Sequence, residues 1–462
     1  MKIDKNPSSF RDPSGFVFSD QNTILRQIST YYKKNYQLLK SSGLYEKLVE
    51  AKLLIPHSEV PDTFNFPETY KIIKPLKIPF ISYPYEWCFS QLKDAALLTL
   101  HIQKKALQFG MSLKDATPYN IQFLEGKPIL MDTLSFEKYE EGKPWVPYRQ
   151  FCEQFLAPLS LMAYTNITLG KLTQEYVSGI PLDLTEQLLP LPSKLNPLVL
   201  IHLLLHGKSQ KNYTRISKKQ KEDHAFSRNA LSGLIDSLYN GIKGLHPKSV
   251  KTVWTHYYED YHPSYTKKSR TEKKEFVEKY LKINRPGNLC DIGANTGEYS
   301  QIAAKNGIVT LSLDNDPTAV EQNYNRIQQN GEKNILPLWI DILNPSPSIG
   351  WQNTERSSFL SRLQPDAILA LALIHHLAIT NNVPLSFLAD FFSRHCRLLI
   401  IEFIPKSDPQ VQKLLQNRKD IFIDYDQNSF EKEFSRYFKT REKLPLSACS
   451  RIMYCMENKG TV

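Results

Sequence analysis

The sequence contains no apolar run as long as a membrane-spanning helix. Such a helix needs roughly 18 or more consecutive apolar residues, whereas the two longest candidates, residues 197–205 and 367–374, have the length of buried core segments. The first ten residues include two lysines and an aspartate but no apolar stretch, so we expect no signal peptide. These absences predict a cytoplasmic protein without a membrane span.

Cysteine is scarce, and its spacing argues against two kinds of structural staple. The six cysteines form no Cys-x-x-Cys pair, which favours reduced thiols over a disulfide framework or a zinc site. Hydrophobic residues make up 41% and charged residues 23% of the 462-residue chain, a balance typical of folded proteins. A chain of this length exceeds one ordinary hydrophobic core, so we expect two or three domains.

An acidic excess is also absent, because the formal net charge is +11. Almost all of this surplus lies in residues 208–285, which contain 18 Lys/Arg and 8 Asp/Glu. A basic chain suggests a polyanionic partner. However, Glu272, Glu275 and Glu278 lie among the lysines at helical spacing, as in a solvated helical face. The pattern therefore argues against nucleic acid and leaves an anionic substrate as an alternative.

The order of apolar segments predicts an α/β protein with three regions. Residues 1–206 mix short strands with helices such as the one expected over residues 90–109, and residues 207–285 form a basic helical linker or lid. Residues 286–459 alternate strands with amphipathic helices, which is typical of a parallel, doubly wound, Rossmann-like sheet. The strands that we predict in this sheet span residues 288–292, 309–313, 335–340, 367–374 and 397–403.

The most specific motif follows the first of these strands. In Asp291-x-Gly293-x-Asn295-x-Gly297, the glycines allow a tight turn and the close approach of a ligand to the backbone. A strand-to-helix turn of this kind presents backbone N–H groups at a helix N-terminus, where anions bind well. The motif matches neither the GxGxxG dinucleotide pattern nor a GxxxxGK[ST] phosphate loop.

Two further carboxylates follow the next two strands. Asp314 can accept hydrogen bonds from both hydroxyls of a ribose. Asp341 can accept one from an exocyclic amine such as that of adenine. Both positions lie at the carboxyl ends of strands, where open α/β sheets bind ligands. The alternative, an ordinary turn with surface aspartates, is disfavoured by three ordered motifs at spacings of 23 and 27 residues.

With these three motifs, residues 286–459 resemble class I S-adenosylmethionine-dependent methyltransferases. The resemblance implies S-adenosyl-L-methionine as the cofactor and no metal ion in its site. The cofactor-binding residues that it implies are Asp291, Gly293, Asn295, Gly297, Asp314, Asp341 and Leu373. The first four form the loop under the methionine part of the cofactor, and the two later aspartates hold the ribose and the adenine amine.

Two histidines follow the fourth predicted strand. Methyl transfer from a sulfonium is an in-line displacement, so the protein mainly positions the nucleophile, and a base helps only where the acceptor must lose a proton. His375 and His376 are the candidate catalytic residues because imidazole titrates near neutral pH. The alternative is that one or both imidazoles cap the strand or pack beneath the site.

Two nearby segments give weaker signals. Asn344-Pro-Ser-Pro347 is similar to the Asn-Pro-Pro-aromatic motif of amino-group methyltransferases, but it follows the third strand rather than the fourth, so we interpret it as a proline-rich turn. Trp351, Glu355 and Arg356 are candidates for a substrate mouth. A surface loop with an ion pair is the simpler interpretation.

The N-terminal region carries a different motif. Asp115, four intervening residues, Asn120, and a later strand ending in Asp132 resemble the catalytic and metal-binding loops of protein-kinase-like phosphotransferases. The resemblance implies that Asp115 orients an acceptor hydroxyl and that Asn120 and Asp132 hold Mg²⁺ with ATP. Residues 79–87, ahead of the predicted long helix, resemble the kinase hinge.

The kinase-like pattern is degenerate. No glycine-rich phosphate loop or Val-Ala-Ile-Lys strand is recognisable, and Gly15 and Arg26 are the nearest substitutes. A carboxylate–amide pair without its phosphate lysine favours nucleotide binding over phosphotransfer. Chance similarity is the alternative.

Over nearly its whole length, the chain resembles a group of bacterial two-part methyltransferases, some of them named for nodulation. We therefore predict a methyltransferase whose kinase-like domain recruits or shapes an unidentified acceptor, either a small molecule or a protein. The aromatic residues of 254–261, with Tyr265, form a lid over the site or pack the domain junction. The competing hypotheses are a kinase-like phosphotransferase and a non-catalytic nucleotide-binding scaffold.

Overall fold

The computed structural model describes residues 4–21, 23–205, 227–248, 265–416 and 419–460. These residues belong to two compact units. The first unit contains Met1–Val250 and Pro347–Ser358, and the second contains Lys251–Ser346 and Phe359–Val462. The described parts of the predicted middle region are thus divided between the two units.

The first unit contains an antiparallel sheet and two short strand pairs. The sheet strands are β1 Asp4–Lys5, β2 Val17–Asp20, β3 Thr23–Ser29, β4 His57–Val60 and β5 Thr69–Pro75. Their order across the sheet is β1-β2-β3-β5-β4, with every neighbouring pair antiparallel. The shorter strands are β6 Met111–Leu113, β7 Ile121–Leu124, β8 Lys127–Leu130 and β9 Phe136–Lys138. β6 pairs with β9 and β7 with β8, so the ends of these short strands bring the N-terminal motif together.

A long, largely buried helix dominates the rest of the first unit. The helices are α1 Lys33–Ser41, α2 Leu44–Glu50, α3 Phe89–Gln108, α4 Tyr148–Phe151, α5 Ala157–Tyr164, α6 Leu172–Glu175, α7 Leu182–Leu188, α8 Pro197–Val199 and α9 Arg228–Lys243. The bounds of α3 agree with the predicted helix over 90–109 to within one residue. The side chain of Gln91 accepts the backbone N–H of Cys88 at 3.0 Å and so closes the first turn of α3.

The second unit is a doubly wound sheet, as predicted. Its strands are β10 Asn288–Ile292, β11 Val309–Asp314, β12 Ile335–Trp339, β13 Ala367–Ala370, β14 Leu398–Phe403, β15 Phe438–Pro445 and β16 Ile452–Asn458. Their order is β12-β11-β10-β13-β14-β16-β15. The first five in this order are parallel, and β16 runs antiparallel to both of its neighbours. The order reverses beside β10, and ligands bind at such a switch point in doubly wound sheets.

Two features of this sheet differ from the prediction. The fourth strand ends at Ala370 rather than at residue 374, because the backbone turns into the left-handed region at Ala372, with φ of 50°. The antiparallel pair β15–β16 was not predicted. One face of β15 is solvent-exposed and charged, so its sequence carries little of the apolar signal that identified the other strands.

Helices cover the sheet and bury its centre. They are α10 Lys267–Asn284, α11 Glu298–Lys305, α12 Pro317–Asn330, α13 Phe359–Arg362, α14 Leu385–His395, α15 Pro409–Leu415 and α16 Gln427–Ser435. Every residue of β14 is buried, and Phe276 and Val277 of α10 pack into the same core as Leu289, Leu398 and Met453. Among the helices of the described ranges, none is both long and apolar enough to cross a bilayer.

Candidate active site

A cavity of about 330 Å³ lies at the carboxyl ends of β10, β11, β12 and β13 in the second unit. Its volume is in the range typical of small-ligand sites. Six of the seven predicted cofactor residues line it, together with one of the two histidines. These residues are Asp291, Gly293, Asn295, Asp314, Asp341, Leu373 and His376. The topology therefore brings together side chains that are up to 85 positions apart in the sequence.

The glycine loop is built so that backbone, rather than side chain, borders the cavity. The N–H groups of Gly293 and Ala294 both donate to the Leu313 carbonyl at 2.9 Å, which fixes the turn after β10. Gly293 has φ of +76°, and a Cβ there would lie 3.1 Å from Cδ1 of Leu373. The loop thus favours glycine at this position for its conformation, and a Cβ would in addition crowd Leu373.

Gly297 has a supporting role and does not line the cavity. It is the N-cap of α11 with φ of +80°, and a Cβ there would lie 2.6 Å from Nδ2 of Asn323. Asn323 is itself held, because it donates to Ser312 at 2.8 Å and accepts from Arg326 at 2.8 Å. Arg326 also donates to the Thr296 carbonyl at 2.7 Å, so the far side of the loop is anchored to α12.

Asp291 is the buried acid at the start of the loop. Its carboxylate accepts the hydroxyl of Ser300 at 2.7 Å. Burial raises the pKa of Asp291 to about 6, although the Ser300 hydrogen bond and the charge of Lys273 both oppose the rise. A carboxylate held in this way favours a ligand that is cationic or that donates hydrogen bonds.

Asp314 lies at the end of β11 and ties that strand to the glycine loop. Its Oδ2 accepts the N–H of Asn295 at 2.7 Å, and its Oδ1 accepts the N–H of Asp316 at 2.9 Å. Burial raises the pKa of Asp314 to about 6 against these backbone hydrogen bonds. Each carboxylate oxygen retains a second lone pair, so Asp314 can accept two further hydrogen bonds from a ligand.

Asp341 follows β12 and lines the cavity with apolar neighbours. Its Oδ1 accepts the N–H of Leu343 at 2.9 Å, which orients the carboxylate within the turn. Ile340, Ile342 and Leu343 also line the cavity. A flat, partly polar ring such as adenine would find both an acceptor and apolar contact here.

The two predicted catalytic histidines are placed differently. His376 lines the cavity at the start of a π-helical turn, His376–Thr380. Burial, with a smaller contribution from the charge of Arg451, lowers the pKa of His376 to about 4. His375 is only 2% exposed, lies outside the cavity lining, and packs against His376 with the ring centroids 4.1 Å apart. Of the pair, only His376 can meet a cavity ligand.

The weaker candidates do not contribute to the cavity lining. Asn344 forms a turn in which its N–H donates to the Asp341 carbonyl at 3.1 Å. Glu355 pairs with Arg11 at 3.2 Å inside the first unit, and Trp351 is 60% exposed. Arg356 lies over the ring of Tyr119 at 4.5 Å. These contacts match the loop-with-ion-pair interpretation rather than the substrate mouth.

Two basic residues that line the cavity, Arg270 and Lys273, were not predicted from the sequence. Tyr265, Arg270 and Lys273 line the cavity from the start of α10 and the residue positions just before it. Tyr265 was expected in an aromatic lid, but the remaining lid residues, 254–261, lie outside the described part of the chain. Lys273 lies in a run of charged residues, for which the sequence predicted a solvated helical face.

The N-terminal motif also comes together, in the first unit. The amide of Asn120 donates to Asp115 at 3.0 Å and to the hydroxyl of Ser135 at 3.1 Å. That hydroxyl donates to Asp132 at 2.6 Å. Burial, and then the charge of Asp132, raises the pKa of Asp115.

Arg26, on β3, completes this cluster. Its guanidinium pairs with Asp132 at 2.9 Å and with Asp12 at 2.6 Å, and its side chain is 15% exposed. Gly15 packs its Cα against the Gln27 carbonyl, where a Cβ would lie 2.0 Å from the oxygen. Gly15 and Arg26, the nearest substitutes for the kinase phosphate-binding elements, thus both make contacts within the first unit.

Comparison with known proteins gives one full-length relative. The chain is 35% identical to nodulation protein NoeA of Rhizobium meliloti (strain 1021) over 457 residues, which covers 97% of this chain and 95% of NoeA. The chain belongs to the NoeA family. No protein-family model matches the sequence.

The solved structures that resemble this NoeA-family chain include distant neighbours. They include the N-methyltransferase NodS from Bradyrhizobium japonicum WM9, at 11% identity over 42% of this chain and 88% of that one, with a TM-score of 0.32. The bifunctional kinase-methyltransferase WbdD gives 15% identity over 46% and 44% of the two chains, with a TM-score of 0.32. Magnesium protoporphyrin IX methyltransferase (ChlM) from Synechocystis PCC 6803 gives 16% identity over 46% and 90%, with a TM-score of 0.31. Scores this low establish no shared fold, so the fold assignment of this NoeA-family member rests on its own strand order and on the direction of its strands, which form a doubly wound sheet.

The cavity of this NoeA-family chain fits S-adenosylmethionine. Three carboxylates lie at the ends of three neighbouring strands, and Gly293 lines the cavity at a place where a Cβ would crowd Leu373. The cofactor offers an ammonium group, a ribose diol and an exocyclic amine, each a donor for one carboxylate.

The N-terminal cluster does not fit magnesium and ATP in the same way. Asp132 already accepts Arg26, Ser135 and the N–H of Leu134 at 3.1 Å. Mg²⁺ binds through carboxylate oxygens that are free to enter its coordination shell, and here a guanidinium is placed against that carboxylate.

Proposed function

We propose that the protein is an S-adenosylmethionine-dependent methyltransferase whose active site is the cavity of the second unit. The observation that carries the proposal is the pair of buried acids, Asp291 and Asp314, on either side of one glycine loop. Both have pKa values raised to about 6, and both line the same cavity. Buried carboxyl groups with raised pKa values are typical of functional sites, and here a bound ligand would supply hydrogen-bond donors to both carboxylates.

Each acid has a proposed partner on the cofactor. Asp314 would accept the ribose hydroxyls, Asp341 the adenine amine, and Asp291 the amino group of the methionine part. Gly293 and Asn295 would let the cofactor approach the backbone, and Leu373 would pack against it. The bound cofactor supplies an electrophilic methyl group on its sulfonium.

His376 is the residue of this chain best placed to assist the acceptor. At neutral pH its imidazole is uncharged, because its pKa is lowered to about 4. A neutral imidazole can accept a hydrogen bond from the hydroxyl or amine of the acceptor and hold its lone pair in line with the methyl group. So weak a base is better suited to orienting that proton than to removing it before transfer.

For the first unit we propose a kinase-like module that recruits or shapes the acceptor without phosphotransfer. The joined Asp115, Asn120 and Asp132 support the kinase-like part. The pairing of Arg26 with Asp132 supports the absence of phosphotransfer, because it neutralises the carboxylate on which a magnesium ion would depend.

We propose a small molecule or a protein as the acceptor rather than a nucleic acid. In α10, Lys274 pairs with Glu298 at 2.5 Å, and Lys282 pairs with Glu278 at 2.6 Å. Ion-paired lysines are less available to the closely spaced phosphates of a nucleic acid.

Calorimetry with S-adenosylmethionine tests the cofactor assignment. We expect saturable binding to the wild-type protein and none to Gly293→Arg, whose side chain would fill the loop beside Leu373. Absence of binding to the wild type would overturn the assignment. A mass-spectrometric comparison of cell extract treated with each protein should then reveal the acceptor as a species that gains about 14 Da only with the wild type.

The same materials separate the two competing functions. A phosphotransferase predicts magnesium-dependent ATP turnover that disappears in Asp132→Ala and persists in Gly293→Arg. A non-catalytic scaffold predicts cofactor binding without formation of S-adenosylhomocysteine in any extract. We expect neither result.

A further inference from the structure

A fully buried glutamate holds three of the cavity residues without lining the cavity itself. Glu402, on β14, is 0% exposed. It accepts hydrogen bonds from Lys273 Nζ at 2.7 Å, from the Tyr265 hydroxyl at 2.7 Å and from the backbone N–H of Ala372 at 2.8 Å. All three of these partners line the cavity.

The charge of Glu402 is balanced within the core. Arg451 is 1% exposed, lies 3.9 Å from Glu402, and forms two hydrogen bonds with Asp408 at 2.8 and 3.2 Å. Although burial opposes ionisation, the charges of Lys273 and Arg451 hold the pKa of Glu402 below its usual value. Two cations therefore face two anions, and loss of a single member would leave an uncompensated buried charge.

The bond to Ala372 has a conformational consequence. Ala372 has φ of 50°, a left-handed conformation that residues with a Cβ seldom adopt. The described chain contains no cis peptide bond, so the N–H of Ala372 and the carbonyl of Leu371 point in opposite directions. Because the N–H points to Glu402, the carbonyl of Leu371 points away from it. Glu402 thus fixes the orientation of the peptide group between Leu371 and Ala372, in the loop that follows β13.

The three partners of Glu402 line the same cavity as Asp291, the acid that we assign to the methionine part of the cofactor. The charge of Lys273 acts on Asp291 and opposes the rise in its pKa. Lys273 also donates to the Tyr265 hydroxyl at 3.0 Å, so the lysine and the tyrosine are fixed as one unit in the lining of that cavity.

We propose that Glu402 is a positioning residue for the amino-acid end of the cofactor. It acts by fixing the left-handed loop at Ala372 together with the Tyr265–Lys273 pair. This inference rests on the proposed methyltransferase function. It predicts that disturbance of Glu402 affects ligands that carry the methionine part and spares those that lack it.

Two conservative substitutions separate positioning from charge balance. Glu402→Asp keeps the charge but withdraws the carboxylate by one methylene from Ala372 and Tyr265. Glu402→Gln keeps the length and one acceptor oxygen but removes the charge. A positioning role predicts that the aspartate variant loses more cofactor affinity, whereas a purely electrostatic role predicts that the glutamine variant does.

The probes are S-adenosylmethionine and 5′-methylthioadenosine, which lacks the amino-acid part. We expect Glu402→Asp to weaken S-adenosylmethionine binding by about tenfold, equivalent to one lost hydrogen bond, and to change methylthioadenosine binding by less than about threefold. Thermal unfolding of each variant, with circular dichroism, establishes that the comparison is between folded proteins.

Ala372→Gly provides the rescue. Glycine adopts the left-handed conformation without the steric cost that alanine bears. Added to Glu402→Asp, it should therefore restore about fivefold of the lost S-adenosylmethionine affinity. A structural role alone predicts no such rescue.

The outcomes are distinct from those that test the proposed function. If the wild-type protein binds neither probe, the methyltransferase assignment is wrong. If the wild type binds both, the positioning role is overturned by any of three results: Glu402→Asp binds S-adenosylmethionine like the wild type, both probes lose affinity equally, or Ala372→Gly gives no rescue.

Discussion

Replacement of Asp314 by alanine should separate cofactor binding from stability. The proposed contacts of Asp314 with the ribose are two charge-assisted hydrogen bonds, each contributing about 1.5–3 kcal/mol. Their loss, about 3–6 kcal/mol, corresponds to a fall in S-adenosylmethionine affinity of roughly 10²–10⁴-fold. The effect on the cofactor-free protein should be much smaller, because two contributions to its stability have opposite signs.

The first contribution is stabilising and the second destabilising. Asp314 accepts the N–H groups of Asn295 and Asp316, and leaving them without an acceptor costs about 1–3 kcal/mol each. Against this, burial moves the pKa of Asp314 from its usual 3.8 to about 6. That shift makes the charged carboxylate unfavourable by about 3 kcal/mol at most above pH 6. Removal of the charge therefore offsets much of the cost of the lost hydrogen bonds.

The pH dependence gives a second signature. Asp291 and Asp314 must both be ionised to accept the cofactor, so affinity should fall as the pH drops through about 6. Well below this pH, log K should change by about two per pH unit in the wild type and by about one in Asp314→Ala. The stability of the cofactor-free protein should change in the opposite direction. The folded state holds these protons more tightly than the unfolded state, so this contribution to stability is present at low pH and is lost as the pH rises through 6.

Calorimetry between pH 5 and 8, with thermal unfolding at each pH, measures both quantities. Asp366→Ala is the matched control, because Asp366 also accepts two backbone N–H groups, those of Gly287 and Asn288, outside the cavity lining. It should lower stability without a change in the pH profile of binding. The reasoning is refuted if Asp314→Ala binds S-adenosylmethionine within threefold of the wild type, or if wild-type affinity is constant from pH 5 to 8.

Three further predictions concern other parts of the chain. Gly297→Ala should lower the free energy of unfolding of the second unit by about 2–4 kcal/mol in chemical denaturation, because its Cβ would clash with the anchored Asn323 side chain at a left-handed backbone position. The control is Gly307→Ala, with φ of +79° and no atom within 4 Å of the added Cβ, which should cost only about 1 kcal/mol. Equal losses in the two variants would argue against the steric explanation. His376→Leu, which removes the acceptor nitrogen, should reduce methyl incorporation into extract acceptors at saturating cofactor by about 10²-fold, and unchanged incorporation would exclude a role for the imidazole. Arg26→Met should lower the free energy of unfolding of the first unit by about 1–3 kcal/mol, because it leaves the buried Asp132 carboxylate without its counter-charge. Adding Asp132→Asn to this variant should recover part of the loss. The proposed neutralising role is contradicted if Arg26→Met is as stable as the wild type and binds magnesium no better.

Much of the candidate site could be predicted because its determinants are local. The strand, the glycine turn and the following helix occupy one short stretch from Asn288 to Lys305, where apolar periodicity and two glycines specify the backbone. Asp314 and Asp341 are each the residue at which a predicted strand stops. Parallel strands deliver their carboxyl ends to one edge of a sheet, so strand position alone predicted that these acids would meet.

The histidine pair shows where local prediction stops. Both residues were expected at the end of a strand, but the strand ends at Ala370 and the chain enters a π-helical turn. One imidazole reaches the cavity and the other packs beneath it. The sequence of two adjacent histidines does not distinguish them, because the direction of each side chain depends on the residue at which the strand ends and the turn begins.

The partners of the buried charges were decided only by the tertiary structure. Lys273 lies 129 positions from Glu402, and Arg26 lies 106 positions from Asp132, so no spacing rule relates them. Their local sequences, a lysine-rich stretch around Lys273 and the polar pair Arg26-Gln27, are those expected of solvated residues. By itself, the sequence determined the strands, the glycine loop and the line of acids, because those depend on hydrogen bonds and periodicity within a few residues. Which charges are buried, and against which counter-charge, depends on how distant elements pack, because a buried ion is tolerated only where the fold supplies its partner.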